Sequence, residues 1–149
     1  MRYVLDTNVL LYYVRDQKTR QYIDEHFDPF GSDNDAIISV VSLGEIYSLA
    51  TRNRWGSQKM NLLEALIDDL IIIEVRYREI VRLYAEIETF SNRTNPNNKV
   101  TGSAITMGKN DIWIAATTVL TKSALITSDN DFNHLENTFF EVLRYGSQD

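Results

Sequence analysis

Tyr3-Val4-Leu5-Asp6-Thr7-Asn8-Val9-Leu10-Leu11 runs an apolar strand, read over 3–6, straight into a polar turn, after which Val9-Leu10-Leu11 opens a helix read over 8–15. In a parallel sheet such strand ends meet along one edge. Catalytic groups and ligands of open α/β sheets collect at that carboxyl edge, so acids distant in sequence become neighbours in space. The question this stretch raises is which other acids share the edge with Asp6.

Outward from it, strands and helices alternate. Lys18 to Phe27 reads as a second helical stretch, closed by the turn cluster Asp28-Pro29-Phe30-Gly31. Ala36 to Val40 is the second strand. From Ser42 a helix carries Leu43, Ile46, Tyr47, Leu49 and Ala50 on one face, and Ser57 to Asp69 turns Met60, Leu63, Leu66 and Ile67 inward. Leu70 to Val75 is the third strand, and Tyr77 to Phe90 an amphipathic helix with Ile80, Leu83, Tyr84, Ile87 and Phe90 at helical spacing. The polar run Ser91 to Lys99 reads as a mobile surface flap. Asp111 to Leu120 is helical, Ala124 to Thr127 a strand, and Thr138 to Leu143 the last strand. The expected fold class is α/β, a single three-layer α/β/α domain over residues 1–149 whose central, mostly parallel sheet has four or five strands.

Asp6, Glu45, Asp111 and Asp129 each fall, on this reading, where an apolar strand gives way to a helix. Singly, each has a structural explanation. Ser42-Leu43-Gly44-Glu45 is a Ser-x-x-Glu capping box, Asp111 suits the dipole of a first helical turn, Asp6 is placed for an Asx turn, and Asp129 for a cap on the turn before Phe132. Jointly, four acids at one edge point to a shared site for a hard divalent cation.

Composition narrows the chemistry. The chain has 149 residues, 44% of them hydrophobic, enough for one domain with a sizeable core. It has no cysteine and only two histidines, His26 and His134, so a metal must be held by oxygen. The longest apolar run, around Leu70 to Ile73, has strand length, and the N-terminus reads as neither signal nor transit peptide. The expectation is a soluble, cytoplasmic protein with no membrane contact. A net charge of −6 argues against tight nonspecific binding of nucleic acid. One or two magnesium ions at the acid cluster would erase much of that excess, and Arg15, Arg20, Arg52, Arg54 and Lys59 make the N-terminal half locally basic.

Two motif comparisons fail. Asp129-Asn130-Asp131 begins like an EF-hand loop, but His134 stands where that loop needs glycine and Phe140 where it needs a bidentate Glu. Asp6-Thr7-Asn8 begins like the site of Asp-nucleophile phosphohydrolases, with Asn8 in place of their second Asp.

Four segments together carry a more specific likeness: Leu5 to Leu10, Ser39 to Ile46 around Gly44-Glu45, Asn110 to Ala116, and Thr127 to Phe132. In this order and at these separations the chain resembles the PIN-domain nucleases, especially the VapC-type toxin ribonucleases of toxin–antitoxin pairs. The resemblance implies a metal-dependent endoribonuclease in which Asp6, Glu45, Asp111 and Asp129 hold Mg2+, with Mn2+ as a substitute. Asp131 stays open between a ligand and an outward turn residue. Thr7 and Asn8 are expected to orient Asp6 by hydrogen bonding, with Thr127 serving similarly, and Asn110 to cap its helix. The implied partners are an RNA substrate, a cognate antitoxin protein and a second copy in a homodimer. The alternative reading is a degenerate PIN domain that binds RNA or a partner without cutting. The Ser91 to Thr106 loop looks longer than the usual connection, and its Arg93 and Lys99 read as solvated charges before RNA contacts. Tyr12, Tyr13, Phe27, Phe30 and Trp55 read as core aromatics before base-stacking ones.

Overall fold

A computed structural model describes residues 1–146. The chain runs β1 (Arg2–Leu5), α1 (Thr7–Arg15), α2 (Gln17–His26), β2 (Asp35–Ser39), α3 (Val40–Arg52), α4 (Ser57–Asp68), β3 (Ile71–Ile73), α5 (Arg78–Ser91), α6 (Lys109–Leu120), β4 (Ala124–Thr127), a 3₁₀ turn (Asn130–Leu135) and β5 (Val142–Arg144). The five strands form one sheet in the order β3-β2-β1-β4-β5. Every pairing is parallel. The sheet expected to be mostly parallel, with four or five strands, is therefore wholly parallel with five.

Strand alternation sorts the core into two halves. Tyr3 and Leu5 of β1, Ala36 and Ile38 of β2, and Ala124 and Ile126 of β4 face α1 to α4, where Leu10, Ile23, Ile46 and Leu63 meet them. Val4, Ile37 and Leu125 face the other way, onto Ile80, Ile87 and Phe90 of α5 and Ile112, Ile114 and Ala115 of α6. A strand buried on both faces must be apolar at successive positions, which is why β1, β2 and β4 read as short continuous runs. Tyr13 is buried, and Tyr12, Phe27, Phe30 and Trp55 pack against the same core. No helix among the described residues is long and apolar enough to cross a membrane.

Several boundaries move from their sequence reading. The outer strands are shorter than expected, β3 reaching only Ile71–Ile73 and β5 only Val142–Arg144. Thr138 and its successors instead make a turn, with an isolated bridge between Glu136 and Phe140. The Ser91 to Lys99 run is tethered at its start, where Thr94 and Asn95 donate their N–H groups to Thr89 O, and the loop beyond it returns to the same helix end, where Ile105 N–H donates to Ser91 O at 2.8 Å. Ser91 itself ends α5 and is buried. Arg93 is not a solvated charge, because its guanidinium lies 5.4 Å from the Phe90 ring centroid and donates to Phe90 O. At φ 65° it adopts the left-handed conformation that closes a helix, a position glycine usually fills.

Strands β1, β2 and β3 progress toward one edge and β4 and β5 toward the other, so the order reverses between β1 and β4. At such a reversal the loops leaving the two strands part and open a crevice at their carboxyl ends. Asp6 follows β1 and Thr127 ends β4 at that point.

Candidate functional site

Asp6 is 5% exposed and is the N-cap of α1. Its Oδ1 accepts the Thr7 N–H at 2.7 Å, the expected Asx arrangement. Its Oδ2 accepts the Thr127 hydroxyl, also at 2.7 Å. Burial raises its pKa; the Thr127 and Thr7 hydrogen bonds oppose that, and the charges of Asp129 and Glu45 add to it. The fully buried Thr127 hydroxyl also accepts the Asp129 N–H at 2.9 Å, so one side chain fixes the acids at the ends of both central strands.

Asp129 caps the 3₁₀ turn, its Oδ1 accepting Asp131 N–H at 2.9 Å. Asp111, in the first turn of α6, comes in from the α5–α6 side. Asp111, Asp129 and Asp131 each bring a carboxylate oxygen within 4.8 Å of the others. Asp131 therefore points toward its neighbours rather than away. The Asp111 carboxyl is pushed up to about 7, first by burial and then by the charges of Asp6, Asp129, Asp131 and Glu45.

Glu45 faces the cluster from α3, where its Oε1 accepts the Thr7 hydroxyl at 3.1 Å. The capping-box reading of this residue does not hold. Ser39 caps α3, its hydroxyl accepting Val41 N–H at 3.3 Å. Ser42 thus lies inside the first turn, and Glu45, a turn further along, has no cap to reach back to.

Other expectations also change. Thr7 divides its work, its backbone holding Asp6 and its side chain Glu45. Asn8 is exposed and makes no side-chain hydrogen bond among the described residues, so it does not orient Asp6. Gly108, not Asn110, is the N-cap of α6. Asp111 follows the long loop from α5, not a strand. The sequence reading misses Tyr145, just after β5, whose buried hydroxyl is held in its protonated form by burial and by the nearby charge of Asp6. No local pattern marks it, because its place is set by strand β5 alone.

A donor set made only of carboxylate oxygens suits a hard divalent cation and offers nothing to a thiophilic one. The repulsion of its neighbours, which adds to burial in raising the Asp111 carboxyl, is what such a cation would relieve. Both oxygens of Asp6 already accept one hydrogen bond each, yet an ionised carboxylate has about four lone-pair sites, which leaves room for an ion.

The model of the PIN domain matches residues 3–137, a span that contains all five acids. The chain belongs to the PIN-domain family. Solved structures share this PIN domain's fold. VapBC2 from Rickettsia felis, bound to a DNA fragment from its promoter, superposes with a TM-score of 0.76 at 20% identity, over 98% of this chain and 100% of that one. VapBC-1 from nontypeable Haemophilus influenzae gives 0.72 at 18% identity, over 97% and 98%. VapBC-5 from Mycobacterium tuberculosis, a member of a family of toxin–antitoxin systems, gives 0.64 at 21% identity, over 97% and 98%. At these identities the likeness is one of fold. No curated protein matches this chain by sequence.

Proposed function

We propose that this PIN domain is a metal-dependent endoribonuclease and the toxin of a toxin–antitoxin pair. The observation that carries the enzymatic reading is the convergence of Asp6, Glu45, Asp111, Asp129 and Asp131 at the carboxyl edge between β1 and β4. A module that only bound RNA or a partner would have no use for crowded acids, among which burial first and the neighbouring charges after it push Asp111 up to about 7.

Asp6, Glu45, Asp111 and Asp129, with Asp131 in reach, would hold Mg2+, for which Mn2+ substitutes. When bound, the ion supplies an activated water and charge stabilisation for in-line displacement at a phosphodiester. Thr127 and the Thr7 N–H fix Asp6 through both oxygens, and the Thr7 hydroxyl fixes Glu45, so two acids from different layers keep one relative orientation. Such outer hydrogen bonds hold carboxylates in place before a ligand arrives.

The two histidines are engaged elsewhere. His26 Nδ1 lies 2.8 Å from Tyr22 O, and His134 Nε2 lies 2.8 Å from Ser91 Oγ. Attack by the RNA's own 2′-hydroxyl, assisted by paired imidazoles, therefore has no support in the geometry. The toxin reading draws on the structural relatives, which are VapBC complexes. An antitoxin arginine pairing bidentately with the acid cluster would be a natural form of restraint. A homodimer joined through apolar helix faces completes the proposal.

The test is the chemistry of the ends. Hydrolysis should leave 5′-phosphate and 3′-hydroxyl termini, and should stop in chelator and in Asp111→Asn. Cyclic-phosphate ends, or undiminished cutting in chelator, would refute it.

A further inference from the structure

A groove of about 260 Å³ leaves the acid cluster between α1 and α3. Thr7 and Glu45 stand at its head, Leu11 and Ser48 along it, and Arg52 at its far end. Glu45, Ser48 and Arg52 share one face of α3, at i, i+3 and i+7. Seven residues of helix span about 10 Å, roughly the rise of three stacked nucleotides at about 3.4 Å each.

Thr7 and Glu45 at the head of this groove are hydrogen-bonded to each other, and the other polar side chains along it are uncommitted. Asn8, Ser48 and Arg52 are exposed, and none makes a side-chain hydrogen bond or ion pair among the described residues. They offer an amide, a hydroxyl and a guanidinium beside the apolar flanks of Leu11 and Leu49. Asn8 and Ser48 can donate or accept, so the group that favours an anionic strand over a neutral peptide is Arg52, a charged donor-only side chain suited to a phosphate, with apolar surface beside it for the sugars. The volume is below the roughly 300–1,000 Å³ of a small-molecule pocket, a size that fits the edge of one strand and not a duplex. In a chain of net charge −6, an unpaired arginine at the outlet of an acidic site also has a local role, giving a phosphate strand a favourable direction of exit.

We infer that single-stranded RNA flanking the scissile bond lies in this α1–α3 groove, with Arg52 binding one of its phosphates. The inference rests on the ribonuclease reading above. The simpler role for Arg52, a cation in the last turn of α3 that complements the helix dipole, predicts no effect on RNA.

Binding of a labelled random-sequence 12-nucleotide RNA to the full chain carrying Asp111→Asn, in magnesium, separates these roles when measured across a range of salt. Adding Arg52→Ala should weaken binding by roughly two- to five-fold, as for an exposed ion pair. It should also lower the slope of log affinity against log salt by about 0.7, the value for one fewer phosphate neutralised on a single strand. Arg52→Lys should restore the slope, and Arg82→Ala, on the far α5 surface, should leave it unchanged. RNA binding with a slope indifferent to Arg52 would overturn the inference while leaving the ribonuclease reading intact, and it is also the outcome if the groove takes a protein segment instead. A slope lowered equally by Arg82→Ala would make the effect one of net charge and overturn it too. No RNA binding at all would remove both.

Discussion

Replacing Asp111 by asparagine should stabilise the metal-free protein, increasingly as pH rises from about 4 and fully above about 7. In the unfolded chain this carboxyl titrates near 3.8; in the folded chain it is pushed up to about 7 by burial first and by Asp6, Asp129, Asp131 and Glu45 after it. Between those values the folded state holds more protons than the unfolded one, so stability falls as pH rises through the interval. The penalty is absent below about pH 4 and complete above about pH 7. A tenfold change in proton affinity is about 1.4 kcal/mol, so a fully buried group shifted this far would carry about 4 kcal/mol. Asp111 is only half-buried, and solvent screening brings the figure to about 1–2 kcal/mol. Loss of a negative charge from the first turn of α6 works against this by about 0.3–1 kcal/mol, which leaves a net gain. At about 2–4 °C per kcal/mol for a chain of this length, Asp111→Asn should melt a few degrees above the parent at pH 8 in chelator and level with it at pH 4.5. Saturating magnesium should reverse the order, because an ion at 100 times its Kd adds about 2.7 kcal/mol to a protein that binds it only when folded. Thermal melts followed by circular dichroism at both pH values read all four conditions. A variant that melts below the parent at pH 8 without metal would show that neither burial nor the neighbouring charges penalise an ionised Asp111, and would refute the electrostatic reading of this site.

Thr127→Val should cost about 1–3 kcal/mol in urea unfolding at pH 8, since buried Asp6 and the Asp129 N–H both lose a partner. It should also weaken magnesium binding by roughly 10- to 100-fold, with Thr127→Ser near the parent; unchanged magnesium affinity in the valine variant would refute the orienting role. Gly44→Ala should raise stability by about 0.5–1 kcal/mol, because the added Cβ meets nothing within 4 Å and helical glycine is costly; a lowered urea midpoint would reveal a packing constraint at that position. Expression of the chain alone should slow bacterial growth, and co-expression of the small protein encoded beside it should restore growth. Normal growth together with ready cutting of RNA by the purified chain would favour a housekeeping ribonuclease over a toxin.

What could be read in the sequence followed from how strongly local pattern determined each element. Strands β1, β2 and β4 are enclosed on both faces, so their apolar runs end close to where the strands do. At the sheet margin that signal weakens: Ile71 is 45% exposed and Ile72 39%, and no second face of buried partners fixes the limits of β3. Asp6 and Asp129 were legible because each follows a central strand. Asp111 joins them on the expectation of a strand before it; it has none and reaches the site through the packing of α6 on α5. Glu45 shows a sharper limit. Two serines three residues apart, Ser39 and Ser42, both suit a helix cap, and a Glu three residues after the second makes Ser42 the better local match. Tertiary structure selects Ser39, because β2 runs to that residue and buries it fully. Moving the cap by nearly one turn leaves Ser42 in the core and turns Glu45 toward Thr7 and the acids beyond it. The strand end, by deciding which serine caps the helix, thereby decides whether this carboxylate serves the backbone or the site.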